Sequence, residues 1–294
     1  MANDNNKHEI DQVTGIETTG HEWDGLKELN NPAPRWWLWV FYATIVFAIG
    51  YWAVYPAWPT LTGFTGGSKN WSEYSQLKEH QGEITAMRAK YEARFTAADL
   101  KTIQNDPELY EYARAGGAIA FKNNCAACHG AGAQGGYGYP NLNDDDWLWG
   151  GTLDQIYTTI RYGVRSTSDQ TRISQMPAFG RDDLLSREEI EAVAEYVQKM
   201  HLGDKAEKTA TYEKGKEVYA NNCASCHGET GDGNQDVGAP RLNDDIWLYG
   251  GDRASIINSI ANPHAGVMPT WEGRLSDSTI KQLAIYVHSL GGGK

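Results

Sequence analysis

A five-residue motif that occurs twice constrains the fold of this chain more than any other feature. The run CAACH at positions 125–129 recurs as CASCH at positions 223–227. A C-x-x-C-H run is the attachment signature of c-type haem, in which two thiols form thioethers and the adjacent histidine binds the iron. The motifs therefore predict two covalently bound haem c groups. The predicted attachment residues are Cys125, Cys128, Cys223 and Cys226, and the predicted proximal iron ligands are His129 and His227.

Zinc sites and redox-active dithiols also use paired cysteines. A zinc site made from both pairs leaves the histidine after each second cysteine unexplained. A dithiol of the thioredoxin type usually lies near a βαβ pattern, which this sequence lacks. The two motifs contain all four cysteines of the chain. Haem attachment therefore accounts for more of the pattern than either alternative.

The chain is acidic throughout. Its 294 residues carry 38 acidic and 26 basic side chains, which gives a net charge of −12. This balance excludes nucleic acid as a partner, because nucleic-acid-binding domains present clustered basic side chains. It is compatible with docking of a positively charged protein, since complementary charge accelerates encounter, and equally with simple solubility.

One segment, Trp36 to Tyr55, has no charged residue and is long enough to cross a membrane. A helix of about 20 residues spans about 30 Å, the thickness of the hydrocarbon core. Tryptophans and tyrosines crowd both ends of the segment, as is typical of membrane–water interfaces. The polar residues 1–35 precede the span and no cleavage site of small residues follows it, which indicates an uncleaved membrane anchor.

The haem motifs also predict the orientation of this anchor. Thioether attachment takes place outside the bacterial cytoplasm, so we expect residues 1–35 in the cytoplasm and both motifs on the periplasmic side of the inner membrane. Residues 1–35 show little periodicity, and extended structure is expected there. Residues 56–105 are predicted to form a linker and a stalk helix, because apolar residues recur at helical spacing from 71 to 104.

The two motifs lie within an internal repeat. The run LNDDDWLWGG at 142–151 matches LNDDIWLYGG at 242–251, and a Met-Pro pair follows each run. The repeat predicts two domains of helices and loops, at residues 106–203 and 204–294. The first domain has a longer loop near Arg165 to Ser174.

Met176 and Met268 are the predicted distal iron ligands, because both precede proline at corresponding places of the repeat. A thioether ligand raises the reduction potential of a haem. Two filled axial positions leave no open site for a substrate, so no catalytic residue is expected. Met176 follows the first motif and Met268 follows the second, but an exchange of ligands between the domains stays open. His264 is the rival ligand at the second haem.

The repeat resembles the class I cytochrome c fold over nearly all of residues 106–294. The resemblance implies a mainly α chain, with one N-terminal transmembrane helix followed by two tandem class I cytochrome c domains. It also implies that a glycine and an aromatic residue of the first helix cross an aromatic residue of the last helix of the same domain. The implied sets are Gly117 and Phe121 with Tyr196, and Gly215 and Tyr219 with Tyr286.

The same resemblance implies a proline contact at each haem, and the chemistry of the residue types suggests two further kinds of contact. The carbonyls of Pro140 and Pro240 are expected to accept a hydrogen bond from the proximal histidine, which fixes its tautomer. Trp147 and Trp247 are expected to pack on the haems. Haem propionates are carboxylates, which suit guanidinium groups. Candidate partners, with a solvated surface position as the alternative for each, are Arg161, Arg165 and Arg241.

The N-terminal third is similar to one family in particular. The run GHEWDGLKELNNP at 20–32, followed by PRWW at 34–37, resembles the leader of the dihaem subunit of cbb3-type cytochrome c oxidase, the CcoP or FixP family. The similarity continues through the span into the tandem haem units. It implies an electron-transfer subunit that accepts electrons from a soluble cytochrome c. The implied partners are the catalytic haem-copper subunit and the monohaem cytochrome c subunit of the oxidase.

Two other functions share the haem motifs. A membrane-tethered dihaem cytochrome that serves a dehydrogenase or a nitrogen-oxide reductase has every haem feature but not the leader. A haem-based sensor requires a labile or vacant axial position, which the paired Met-Pro motifs oppose. The leader therefore separates the oxidase subunit from the tethered cytochrome, and the ligands separate both from the sensor.

Overall fold

The structure, a computed structural model, describes residues 9–292, without the side chain of Asp204. Residues 1–8 and 293–294, at the ends of the predicted segments 1–35 and 204–294, lie outside the described residues. The described backbone is mainly helical, as predicted, and the chain divides into two compact units, Met1–Met87 and Arg88–Lys294.

The first unit contains a β-hairpin where extended structure was expected. Strand β1 (Thr18–Trp23) pairs with β2 (Leu26–Leu29), with Trp23 opposite Leu26. The turn residues Asp24 and Gly25 have φ angles of 48° and 84°, as a two-residue type I′ turn requires. An Asp-Gly pair between apolar residues is a strong hairpin signal. Periodicity misses it because the strands are short and mostly exposed.

Helix α1 (Arg35–Val54) lies where the span was predicted. None of its residues is buried, and among residues 9–292 it is the one helix long and apolar enough to cross a membrane. A short hairpin follows it, formed by β3 (Pro59–Thr60) and β4 (Gly63–Phe64). The backbone N–H groups of residues 68 and 69 then donate to the carbonyls of Ala53 and Val54. Carbonyl groups at the end of a helix otherwise have no hydrogen-bond partner within the helix.

The second unit consists of helices joined by loops. A 3-10 helix, Met200–Lys205, follows α7, and α2 begins in the first unit. The helices are α2 (Glu73–Ala97), α3 (Leu100–Asn105), α4 (Pro107–Asn124), α5 (Ala126–His129), α6 (Leu153–Tyr162), α7 (Arg187–Lys199), α8 (Ala210–Asn222), α9 (Ala224–His227), α10 (Arg253–Ala261) and α11 (Asp277–His288).

These helices form two apolar cores. The first core joins α4, α6 and α11 with α3 and the end of α2, where Phe95 is fully buried. The second core joins α7, α8 and α10. The closing helix of each sequence repeat therefore packs on the opening helix of the other repeat: α11 lies on α4, and α7 lies on α8.

This exchange makes the helix pairing implied by the resemblance wrong. Phe121 contacts Tyr286, with ring centroids 5.5 Å apart, and Tyr219 contacts Tyr196 at 5.3 Å. A Cβ atom at Gly117 would lie 2.5 Å from the Tyr286 Cβ, so the absence of a side chain there permits the close crossing. The domain boundaries at residues 106–203 and 204–294, which follow the sequence repeat, stay a prediction.

The short connection between α7 and α8 gives a physical reason for the exchange. Only residues 200–209 join these helices, and short connections favour antiparallel packing of consecutive helices. Because α7 packs on α8, it does not cover the face of α4 that carries Gly117. Helix α11 packs on that face instead.

Candidate haem sites

The two C-x-x-C-H motifs have the same backbone geometry. Each opening helix ends just before the first cysteine, which has φ and ψ of −112° and −34° at Cys125 and −115° and −35° at Cys223. One short helical turn follows, α5 in the first motif and α9 in the second. The second cysteine and the histidine are the last two residues of this turn. The turn ends at a glycine with φ of +81° in both motifs, a conformation that favours glycine.

The histidine of each motif, the predicted proximal ligand, is oriented by a proline carbonyl, as the resemblance implied. The distance from Nδ1 to the carbonyl oxygen is 3.0 Å for His129 and Pro140, and 2.9 Å for His227 and Pro240. A carbonyl only accepts hydrogen bonds, so Nδ1 donates and Nε2 keeps its lone pair for a metal. Burial lowers the pKa of both histidines, and the hydrogen bonds partly oppose that shift.

A cavity of about 450 Å³ adjoins the first motif. Cys125, Cys128 and His129 line it on one side, and apolar and aromatic side chains, Trp147 among them, form much of the rest. Burial raises the pKa of the Cys125 thiol to about 11, so this thiol is protonated at neutral pH and poorly suited to disulfide exchange. The residues present therefore fit a c-type haem.

Met268 lines this same cavity, although it belongs to the second half of the sequence. The backbone of Met268 forms a two-way bridge with Val164, with both N–O distances at 3.0 Å. The carbonyl of Arg161, at the end of α6, accepts from Trp271 and Glu272 N–H groups, and the Arg161 guanidinium binds the Glu272 carboxylate at 2.6 Å. The Met268 loop is thus held on the first half of the chain.

The second motif shows the reciprocal arrangement. Met176, from the first half, packs against the core that contains Cys223 and Tyr219. The chain just after Met176 is bound to α10, because the N–H groups of Phe179 and Arg181 donate to the carbonyls of residues 260 and 261. Trp247 also packs against this core. Each methionine loop therefore crosses to the other half of the sequence.

The remaining candidates are placed as follows. His264 stacks on Tyr249 with ring centroids 4.0 Å apart, on the loop that carries Met268 to the first motif, and therefore not beside the second. Arg161 is engaged by Glu272, and Arg241 lies 3.9 Å from Asp244. Arg165 lines the cavity at the first motif.

Two protein families match this chain, one over its N-terminal part and one over its C-terminal part. The family described as the N-terminal domain of cytochrome oxidase-cbb3, FixP, matches residues 15–62. The family described as cytochrome c oxidase, cbb3-type, subunit III, matches residues 113–197 and 210–287. The two matches to the second family confirm the tandem cytochrome c organisation and, with it, haem c as the kind of cofactor.

Full-length relatives agree with these matches. The cbb3-type cytochrome c oxidase subunit FixP of Azorhizobium caulinodans is 52% identical over 285 residues, 97% of this chain and 96% of the relative. The subunit CcoP of an Azospirillum species is 49% identical over 292 residues, 97% of this chain and 98% of the relative. The FixP subunit of Rhizobium meliloti is 49% identical, with 99% of both chains covered. The chain belongs to the FixP/CcoP family, subunit III of the cbb3-type cytochrome c oxidases.

Proposed function

We propose that this chain binds two haem c groups with crossed axial ligands: His129 and Met268 at the first motif, and His227 and Met176 at the second. The observation that carries the proposal is that Met268 lines one cavity with Cys125, Cys128 and His129. The reciprocal packing of Met176 on the second core supports the same arrangement at the other motif.

The residues of the chain have distinct tasks at each site. Cys125 and Cys128 would hold the cofactor covalently, and the Pro140 carbonyl keeps the His129 ring in the tautomer that binds iron through Nε2. A methionine thioether as the second iron ligand would favour the reduced state and a high potential. When bound, the haem supplies one-electron redox chemistry. The crossed loops fix the methionines on rigid elements, which suits a carrier whose ligands should move little.

Electron transfer within an oxidase complex follows from the family. The relatives are named as subunits of cbb3-type cytochrome c oxidase, and we propose the same assembly here. Electrons would pass from a soluble periplasmic cytochrome c through this subunit to the monohaem subunit and the haem-copper core. The N-terminal segment would lie in the cytoplasm, α1 would cross the inner membrane, and the haem domains would face the periplasm.

A reduced-minus-oxidised visible spectrum of the tagged chain, purified from its native membranes in mild detergent, tests this function. We expect c-type haem at three per complex, two on this chain and one on the monohaem subunit, together with b-type haem and oxygen consumption from the attached core. A c-type spectrum alone would leave an electron carrier but contradict stable assembly with an oxidase. One haem per chain would contradict the dihaem proposal itself.

A further inference from the structure

The longer loop of the first half is a closed, hydrogen-bonded structure. The Arg165 N–H donates to the Arg172 carbonyl at 2.9 Å, and the Arg172 N–H donates to the Gly163 carbonyl at 3.2 Å. Inside the loop, the Ser166 N–H donates to the Thr171 hydroxyl at 2.9 Å. The corresponding stretch of the second half, between Ala261 and Met268, is shorter. The loop therefore adds two positioned arginines beside one motif only.

Arg165 carries a charge that no carboxylate offsets within residues 9–292. Its Nε donates to the Gly266 carbonyl at 2.7 Å and its Nη1 to the Ser174 carbonyl at 2.8 Å. A guanidinium has five N–H donors, so these two bonds leave most of its capacity unused. Arg161, by contrast, is paired with Glu272. Burial lowers the pKa of Arg165, which marks a cation partly removed from water.

The backbone at Arg165 is also unusual. Its φ of +49° lies in the left-handed region, which is unfavourable for a residue with a side chain. A partly desolvated charge is also unfavourable unless a counter-charge offsets it. The side chain lines the cavity that Cys125, Cys128, His129 and Met268 share. An anion bound in that cavity would provide the missing counter-charge.

We propose that Arg165 binds a propionate carboxylate of the haem at the first motif and raises the midpoint potential of that haem. This inference rests on the proposed function, which places the haem in this cavity. Guanidinium and carboxylate groups match in a two-bond geometry. A positive charge held near the iron disfavours the oxidised state, which carries the additional positive charge. The second half has no equivalent loop, so the effect is specific to one haem.

Arg172 provides a matched control in the same loop. It is also half-buried, and it donates to the Thr159 hydroxyl at 2.8 Å and lies over Trp149 at 5.4 Å. Within the described residues it has no carboxylate partner either, but Arg172 does not itself line the cavity, whereas Trp149 and Thr159 do. Replacing Arg172 therefore removes the same charge from the same loop without removing the proposed propionate contact.

The test is a potentiometric titration of the c-type absorption of the full-length protein, purified from native membranes, for wild type, Arg165→Gln, Arg165→Lys and Arg172→Gln. We expect two components from this chain in the wild type, in addition to one from the monohaem subunit of the attached complex. In Arg165→Gln one of these components shifts to lower potential and the other is unchanged. In Arg165→Lys the potential of that component stays close to the wild-type value. In Arg172→Gln it shifts less than in Arg165→Gln.

Three results would overturn the inference. Unchanged potentials in Arg165→Gln would show that the charge does not act on the haem. Equal shifts in the Gln and Lys variants would show that Arg165 acts by holding the Gly266 and Ser174 carbonyls, which lysine cannot hold in the same way. Equal shifts in Arg165→Gln and Arg172→Gln would show a general loop effect. A wild type with one haem per chain contradicts the proposed function before any variant is compared.

Discussion

Phe121 of the first repeat lies against Tyr286 of the last helix, with ring centroids 5.5 Å apart, although the sequence repeat pairs Phe121 with Tyr196. The same exchange brings Tyr219 to Tyr196. Each apolar core is therefore completed by a helix and a methionine loop from the other half of the chain. Stability, ligand assignment and potential should consequently be coupled between the halves.

The crossed ligands predict which haem each methionine variant affects. Met268→Leu should lower the potential of the haem at Cys125 and Cys128, and Met176→Leu that of the other haem, each within the range of about 0.8 V that axial ligands control. The haems can be told apart in a Cys128→Ala background. One vinyl group then remains unsaturated at the first motif, which extends conjugation and moves that absorption to longer wavelength.

Spectra of the two methionine variants in this background provide the measurement. We expect Met268→Leu to change the displaced band and Met176→Leu to change the other. The opposite assignment would show that each methionine serves the motif that precedes it in the sequence, and the crossed pairing would be wrong.

A chain that ends at Lys205 should not form a stable first site. It lacks Met268 and helix α11, whose Leu283, Ala284 and Ile285 are fully buried and whose Ile280 and Val287 are nearly so. Each large apolar side chain contributes about 1.5–3 kcal/mol on burial, so the loss is comparable with the whole stability of a domain, about 5–15 kcal/mol. Haem stoichiometry and thermal unfolding of the truncated chain would measure it.

Residues 206–294, exported to the periplasm behind a cleavable signal peptide and supplied as a second chain in the same cell, are the control for this truncation. Restored haem attachment would show that the missing part acts by packing. A chain ending at Lys205 that holds a low-spin haem with a methionine ligand would contradict the exchanged fold.

Much of the site chemistry could be predicted from the sequence, but the exchange could not. The motifs, the prolines and the Met-Pro pairs are local sequence patterns, and the motifs and proline carbonyls are also positioned by their own sequence neighbourhood. The helix partners are different, because Gly117 and Gly215 stand at equivalent places and either closing helix satisfies the same pattern. The connection at 200–209 decides between them. The Asp24-Gly25 hairpin can be predicted from its turn residues, and helix α1 can be predicted from its composition.

Two adjacent glycines of α4 predict different effects of substitution on stability. A Cβ atom at Gly117 would overlap the Gln282 carbonyl oxygen of α11, whereas one at Gly116 would meet only the Gln282 side chain, which can move. Gly117→Ala should therefore destabilise the protein by about 1–3 kcal/mol, and Gly116→Ala by little or nothing. Urea unfolding in detergent, followed by circular dichroism, compares them. Equal effects would show that α11 does not approach α4 closely at Gly117.

Glu92 predicts a pH dependence of stability. The Tyr112 hydroxyl donates to it, as does the Ser278 hydroxyl at 2.7 Å, so this carboxylate joins α2 to α4 and α11. The hydrogen bond from Tyr112, followed by those from Ser278 and Thr96, lowers the pKa of Glu92 below 4.5, while burial opposes the shift. A depressed folded-state pKa contributes stability above the unfolded-state pKa, and this contribution is lost as the pH falls through the folded-state value.

Glu92→Gln should therefore lower the free energy of unfolding at pH 7 by about 1 kcal/mol, the usual net value of a hydrogen bond. The difference from wild type should shrink as the pH falls below 4.5, the ordinary pKa of this carboxyl group. Tyr112→Phe removes the largest cause of the shift and should weaken the same pH dependence. Thermal unfolding from pH 3.5 to 8 measures both variants. A difference between wild type and Glu92→Gln that stays constant over this range would show that the charge of Glu92 has no part in holding the three helices together.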